Sequence, residues 1–421
     1  MTRARNHTTS RIAALALGLT TSLTGCTETE CATPDYTRAE CRVVAENSFA
    51  RLKSSSGVEL RFQDPDATDP SASYAAEGII VERGSAVHAR VAHMGEFALS
   101  LRNTGNQART LELELSNVHP LATLVASPQI IEQPVVGAET TRQLLVTVPA
   151  RGHTWVRGGL TQANACPPVF RLAVLADIQT NPTQFALIIE RIQKEANLAE
   201  AAGELLAGVL VAGDLTESSS EDEFRVFQDL LDTAAVPFAL TPGNHDVYES
   251  HLPFYNQNFG PGNYAFDVCG AHIAMLDTGS GAIAESVLGR LPELFDPGDS
   301  EHSLAVMHHP PYAGLTGGGW SREDLAMITL GEFAHQGGDL VIAGHAHMLR
   351  EFTDISVAGG TVREIIAGTA GAWQGAGQPI YGYVRLTFEA GEIDACFVEV
   401  PPPGALPHVN TPTTIPVCDE A

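Results

Sequence analysis

Five short, β-rich apolar runs recur along the second half of the chain, and each closes on a polar cluster. They are RLAVLA (171–176), AGVLVA (207–212), VPFALT (236–241), SLAVM (303–307) and DLVIA (339–343). Helical periodicity lies between them. Over 183–206 the apolar positions include Phe185, Ile188, Ile192 and Leu198, and over 221–234 Phe224, Phe227, Leu230 and Leu231. Alternating strands and helices predict a largely parallel sheet covered by helices. From about 57 to 161 the pattern is instead one-on, one-off. Phe97, Leu99 and Leu101 face one way, and Leu111, Leu113 and Leu115 repeat this after Asn103-Thr104-Gly105-Asn106. That pattern predicts a hairpin within an antiparallel β-sandwich. Cys166-Pro167-Pro168, preceded by Asn164-Ala165, forms the joint between the two halves. Segments 279–299 and 313–325, Gly-rich or irregular, are expected on the rim of a cleft.

The polar clusters carry the chemistry. They are Asp177-Ile178-Gln179, Gly213-Asp214-Leu215-Thr216-Glu217, Gly243-Asn244-His245-Asp246, His308-His309-Pro310 and Gly344-His345-Ala346-His347. Residues just past the carboxyl ends of strands gather on one edge of an α/β sheet, so five such clusters describe a metal site. A lone Asp after a strand is more often a helix cap than a ligand, and Asp177 gains meaning only from its company. Conversely, only two lysines occur, Lys53 after Leu52 and Lys194 after Gln193, so no phosphate-cradling Gly-Lys loop can be written. No G-x-S-x-G elbow occurs either.

The clusters resemble the motif series of calcineurin-like metallophosphoesterases: D-x-H, G-D-x-x-E, G-N-H-D/E, H-x-P and G-H-x-H. Four match outright, and Gln179 stands where that family usually has His. The resemblance covers roughly 170–400 and implies a four-layered α/β/β/α sandwich, here preceded by an all-β sandwich domain. That domain order is similar to purple acid phosphatases in architecture only. The resemblance also implies two divalent cations about 3.5 to 4 Å apart that share a hydroxide. Asp214 would bridge them. Asp177, Gln179 and His347 would complete one site, and Asn244, His308 and His345 the other. His345 and His347, one residue apart, are expected to diverge toward the two ions. The family makes the histidine of G-N-H-D the proton donor to the leaving alkoxide, which is His245 here, with Asp246 fixing its orientation. Glu217 would support a ligand or loop through a hydrogen bond. A neutral amide oxygen at Gln179 favours Mn²⁺ or Mg²⁺ over Zn²⁺, with iron also open. A D-x-Q motif is similar to the manganese-dependent ADP-ribose/CDP-alcohol diphosphatase branch.

Charge and the chain ends change the picture further. The net charge of -26 over 421 residues disfavours bulk nucleic acid or an anionic membrane surface. Arg3, Arg5 and Arg11 precede an apolar stretch from Ile12 to Leu23, then Leu23-Thr24-Gly25-Cys26. This reads as a secretory signal over 1–26 and resembles the lipobox of bacterial lipoproteins, which would leave a lipid on Cys26 in the cell envelope. The alternative is an ordinary signal peptide. Of seven cysteines, six remain for disulfides. Sequence proximity pairs Cys31 with Cys41 and Cys396 with Cys418. Residues 27–56 are expected to form a tether, 57–161 the sandwich, 170–400 the phosphoesterase domain and 401–421 an extended proline-rich tail. Tyr248, Tyr255, Asn263, Tyr312 and Trp320 lie on segments that could reach the cleft, whereas His251, His272, His302 and His335 read as ordinary histidines.

The expected activity is therefore an exported, metal-dependent hydrolase of phosphomonoesters, phosphodiesters or nucleotide pyrophosphates, acting on a small phosphate ester or nucleotide. The alternative is a cell-surface binding protein that retains the fold and a metal with little catalysis.

Overall fold

The computed structural model describes residues 31, 33–69, 77–127, 131–133, 140–160, 166–312, 319–374, 379–405 and 414–419. The signal and lipobox expectation, with Cys26, lies outside them, as do residues 313–318 of the expected rim.

Two sheets stacked face to face carry the site. The first orders its strands Phe238–Thr241, Leu205–Ala212, Phe170–Leu175, Gly382–Glu389 and Glu392–Glu399, the first three parallel. The second orders Tyr264–Val268, Ala271–Leu276, His302–Met307, Leu340–Ala343, Gly360–Ala367 and Leu349–Val357, with its middle four parallel. Strands buried on both faces read as continuous apolar runs rather than alternating ones. Leu172, Val174 and Leu210 of the first sheet meet Met275, Val306 and Ile342 of the second in one core. The opposite faces carry helices. Phe185, Ile188 and Ile192 of Pro182–Ala202 and Phe224 and Phe227 of Glu221–Leu231 pack on Ala173, Val209 and Val211. Leu325, Leu330 and Phe333 of Glu323–His335 pack on Ala305 and Val341. The result is the α/β/β/α sandwich. Truncating fully buried Phe224 to Ala would cost about 3–5 kcal/mol.

Local signals set the helix ends. Asn181 Oδ1 accepts from Gln184 N, Pro182 opens the first helix, and Gly203 closes it at φ 75°. Ser220 and Glu223 form a reciprocal capping box on the second.

Strands from Arg51 to Gly158 make two five-stranded sheets packed around Leu60, Val87, Leu99, Leu113 and Val146. The hairpin expected around 103–106 is not formed. Phe97–Asn103 pairs with Val58–Gln63 and His153–Gly158, while Arg109–Ser116 pairs with Ala86–Val91 and Arg142–Val148. Both leucine rows point into the same interior from opposite sheets, a geometry with the same periodicity as a hairpin. The arch between them is held by Asn103, whose Oδ1 accepts from Gly105 N at 2.9 Å and whose Nδ2 donates to Gln107 O at 2.7 Å. The sandwich is fixed to the α/β/β/α layers by Asn117, which exchanges hydrogen bonds with Phe238 N and O at 2.8 and 2.9 Å.

Three further segments differ from expectation. Residues 39–49 of the expected tether form a helix with Cys41, Arg42, Ala45 and Glu46 buried, so this stretch is part of the body. Segment 279–299 is not an open rim, because Ile283, Val287, Leu291 and Phe295 cover the outer face of the second sheet. In the tail, Ile415 is buried and Val417 bridges to Phe397 of the edge strand. Disulfides join Cys31 to Cys41, Cys166 to Cys269 and Cys396 to Cys418. Among the described residues, no helix is long and apolar enough to cross a membrane.

Candidate metal centre

All five clusters meet at the carboxyl edge of the two sheets. Asp214 follows the strand Leu205–Ala212 and occupies the middle. Its Oδ1 accepts from His245 N at 2.9 Å. Its Oδ2 accepts from Gln179 Nε2 at 2.8 Å and lies 3.3 Å from His308 Nε2. On one flank, His347 Nε2 lies 3.3 Å from Gln179 Nε2 and 3.6 Å from Asp177 Oδ1. On the other, Asn244 Oδ1 lies 3.1 Å from His308 Nε2 and 3.0 Å from His345 Nδ1. The two histidines of G-H-A-H thus diverge to opposite flanks. They do so from left-handed backbone, with φ 67° and 45°, rather than from an extended loop.

That strain is shared. Asp177, Gln179 and Asp214 also adopt positive φ, at 62°, 44° and 56°. Non-glycine residues in this region cost of order 1–3 kcal/mol each and persist where function or surrounding structure imposes them. Gly243 has a steric reason of its own, because a Cβ there would stand 2.1 Å from Asp214 Oδ1.

Main-chain acceptors orient the imidazoles. His308 Nδ1 donates to Ala212 O at 2.8 Å and His347 Nδ1 to Trp373 O at 2.7 Å, leaving each Nε2 to face the site. Donation of the far N–H to a backbone carbonyl is the usual support of a metal-binding histidine. The donor set fits divalent cations on two further observations. Ligand atoms of Asp177, Asp214 and His347 lie within 4.8 Å of one another, and Asp177 Oδ2 is buried with no hydrogen-bond partner among the described residues. A buried, unpaired carboxylate oxygen is costly unless something positive reaches it. The electrostatics agree. Burial pushes the Asp177 carboxyl well above its usual range. Against the opposing effect of burial, Asp214 and Asp177 raise His308 to about 9, while His308 and His245 hold Asp214 low. Burial and the His308 charge bring His345 down to about 4. Two buried carboxylates thus demand positive charge at this point, which divalent cations would supply.

Gln179 presents Nε2, not Oε1, to Asp214. Ligation through oxygen requires a half-turn of the amide.

The role expected of Asp246 is not what its contacts serve. Its carboxylate turns from the His245 ring and accepts from Leu215 N (3.0 Å), Thr216 N (2.9 Å), Thr216 Oγ1 (3.1 Å) and Gly243 N (2.9 Å). It therefore locks the loops bearing Asp214 and Asn244 together. Glu217 takes over orientation, its main-chain oxygen accepting from His245 Nδ1 at 2.7 Å and its carboxylate standing 3.7 Å from that nitrogen.

Of the residues expected near the cleft, Tyr248 reaches the site. Its hydroxyl accepts from Asn244 Nδ2 at 3.2 Å, and its ring lies 5.0 Å from His245. Tyr255 is buried in the core, Asn263 binds buried Glu46, and buried Trp320 donates to His309 O. Tyr312 packs at the edge of the helix-covered core. Sequence reasoning missed Thr278, whose Oγ1 accepts from His308 N and His309 N at 3.0 and 2.9 Å, and Trp373, an exposed residue whose main-chain oxygen accepts from His347 Nδ1. An isolated tryptophan in a Gly-rich stretch was the available signal for the second; the first had none.

Residues 170–349 match the family model described as calcineurin-like phosphoesterase. A probable cyclic nucleotide phosphodiesterase of Fibrobacter succinogenes is 28% identical over 107 residues, 24% of this chain and 41% of that protein. The 3',5'-cyclic adenosine monophosphate phosphodiesterase CpdA of Haemophilus influenzae is 28% identical over 133 residues, 30% of this chain and 45% of that protein. The chain thus spans less than half the length of either relative. Among solved structures, a dimetal phosphatase from Danio rerio matches at 15% identity and TM-score 0.42, covering 55% of this chain and 96% of that one.

Proposed function

We propose that this protein is an exported metal-dependent phosphodiesterase acting on small organic phosphodiesters. The observation that carries this reading is the division of ligands around Asp214, with Asp177, Gln179 and His347 on one side and Asn244, His308 and His345 on the other. Two divalent cations held there would supply Lewis acidity and activate water at neutral pH. Asp214 holds the centre through both oxygens. His245, with Nδ1 committed to Glu217 O, has Nε2 left to protonate the leaving alkoxide as the P–O bond breaks and a water oxygen joins phosphorus. Buried Asp246 keeps the supporting loops in register.

The names of the curated relatives favour diesters, cyclic nucleotides among them. Three disulfides favour an oxidising compartment, in keeping with a signal and a lipid on Cys26. The deciding assay loads the chain from Thr27 with Mn²⁺ and compares p-nitrophenyl phosphate with bis(p-nitrophenyl) phosphate. Faster turnover of the diester, lost in Asp214→Asn, is expected; a preference for the monoester would overturn the diesterase reading. Mass spectrometry of the mature protein is expected to show acylated Cys26, and an unmodified amino terminus would remove the anchor.

A further inference from the structure

Beside the metal centre the surface opens into a cavity of 410 Å³, within the range of small-ligand sites. Its walls are apolar: Ile178, Leu215 and Phe227 are buried at its floor, and Val226 and Leu230 rise from the helix Glu221–Leu231 at its mouth. Gln179 and Glu217 complete the side nearest the chemistry. These two residues touch the reacting groups directly, Gln179 through Asp214 Oδ2 at 2.8 Å and Glu217 through His245 Nδ1 at 2.7 Å. A substituent on a phosphorus held between Asp214 and His245 therefore has this cavity within reach.

The charge of the walls restricts what enters. Among the described residues, the charged lining groups are Glu217, Asp222 and Glu223, with no Lys or Arg. Glu223 accepts from Ser218 Oγ and Ser220 Oγ, both at 2.7 Å, which stabilises its ionised form. Such walls repel a second phosphate while the floor favours a flat apolar group.

The geometry points to a specificity subsite, lined by Ile178, Leu215, Val226 and Phe227, for the uncharged aromatic arm of a phosphodiester. This deepens the phosphodiesterase reading and rests on it. Substrates with one phosphate and an aryl or nucleobase-like arm are selected, and those whose arm carries another phosphate are disfavoured.

The test uses Val226→Trp, which fills the cavity from a half-exposed helix position outside the metal centre. With the Mn²⁺-loaded protein, kcat/KM for ethanol release from benzyl ethyl phosphate is compared with that from diethyl phosphate. The two diesters share a leaving group and differ in the other arm. The benzyl diester is expected to lose about tenfold in the variant, mostly through KM, with diethyl phosphate unchanged. Equal loss on both, or on neither, overturns the subsite. Calorimetric binding of phenylphosphonate against methylphosphonate reads the cavity without turnover. If neither diester is hydrolysed but Val226→Trp still weakens phenylphosphonate alone, the subsite stands and the catalytic reading falls. If wild type binds both phosphonates equally, the subsite falls whatever the activity.

Discussion

Arg42 and Asp277 form a buried, two-pronged ion pair. Nε and Nη2 of the arginine donate to the two carboxylate oxygens at 2.7 Å each, 235 residues apart in sequence. The pair ties the helix Ala39–Phe49 to the loop after Ala271–Leu276, where the next residue, Thr278, receives the main-chain N–H groups of His308 and His309. Breaking a buried pair strands one charge, so Arg42→Met is expected to cost about 3–5 kcal/mol. The double variant Arg42→Met/Asp277→Leu should recover part of that in urea unfolding. A single variant as stable as wild type would show that the helix contributes nothing to the body.

His245 and Asp246 separate by experiment. His245→Ala removes the proton donor and is expected to lower kcat by about 10²–10⁴-fold with bound metal per chain unchanged. Asp246→Asn leaves the imidazole bonded to Glu217 O but replaces an acceptor serving Leu215, Thr216 and Gly243. It is expected to cost about 1–3 kcal/mol of stability and to weaken metal retention. If instead Asp246→Asn retained stability and metal and shifted only the pH-rate profile, Asp246 would be the orienting group after all.

The strands and the clusters at their ends were legible because burial on two faces writes a continuous apolar run, and a polar residue at once after such a run lies at a sheet edge. What supports the clusters was not. Glu217, Ala212 and Trp373 act through main-chain oxygens, which leave no side-chain signature. The helix Ala39–Phe49 was hidden for a related reason. Arg42 and Glu46 read as solvent-facing, yet each is buried because a partner distant in sequence, Asp277 or Asn263, satisfies it. The arch at 103–109 shows a limit of period-two reasoning, which says which way side chains face and not which strand lies alongside.

Gln179→His restores the imidazole usual in the family's first motif. Gln179 lies 3.3 Å from His347 Nε2 and bonds Asp214, so the exchange adds a nitrogen ligand where the amide now stands. Nitrogen donors suit Zn²⁺ better than amide oxygen does. In competition between equimolar Zn²⁺ and Mn²⁺, the variant is expected to retain a higher Zn-to-Mn ratio by elemental analysis than wild type. An unchanged ratio would remove Gln179 from the ligand set.

His93 gives the fold an acid liability away from the metal centre. Its ring stacks on Phe266 at 4.7 Å between centroids, and both ring nitrogens are buried without hydrogen-bond partners among the described residues, so burial pushes its pKa down to about 3. The unfolded chain takes up this proton near its ordinary value of about 6.5. Below that pH the unfolded state binds a proton that the folded state refuses, and stability falls by about 1.4 kcal/mol per pH unit until the folded pKa is reached. His119, lowered to about 4 by burial, adds a similar slope that is common to wild type and variant. His93→Phe keeps the stacking and removes one proton from the balance. Its stability relative to wild type is expected to rise by about 2–3 kcal/mol between pH 6.5 and 4.5 in urea unfolding. Parallel curves for the two proteins would mean that His93 already binds its proton in the folded state.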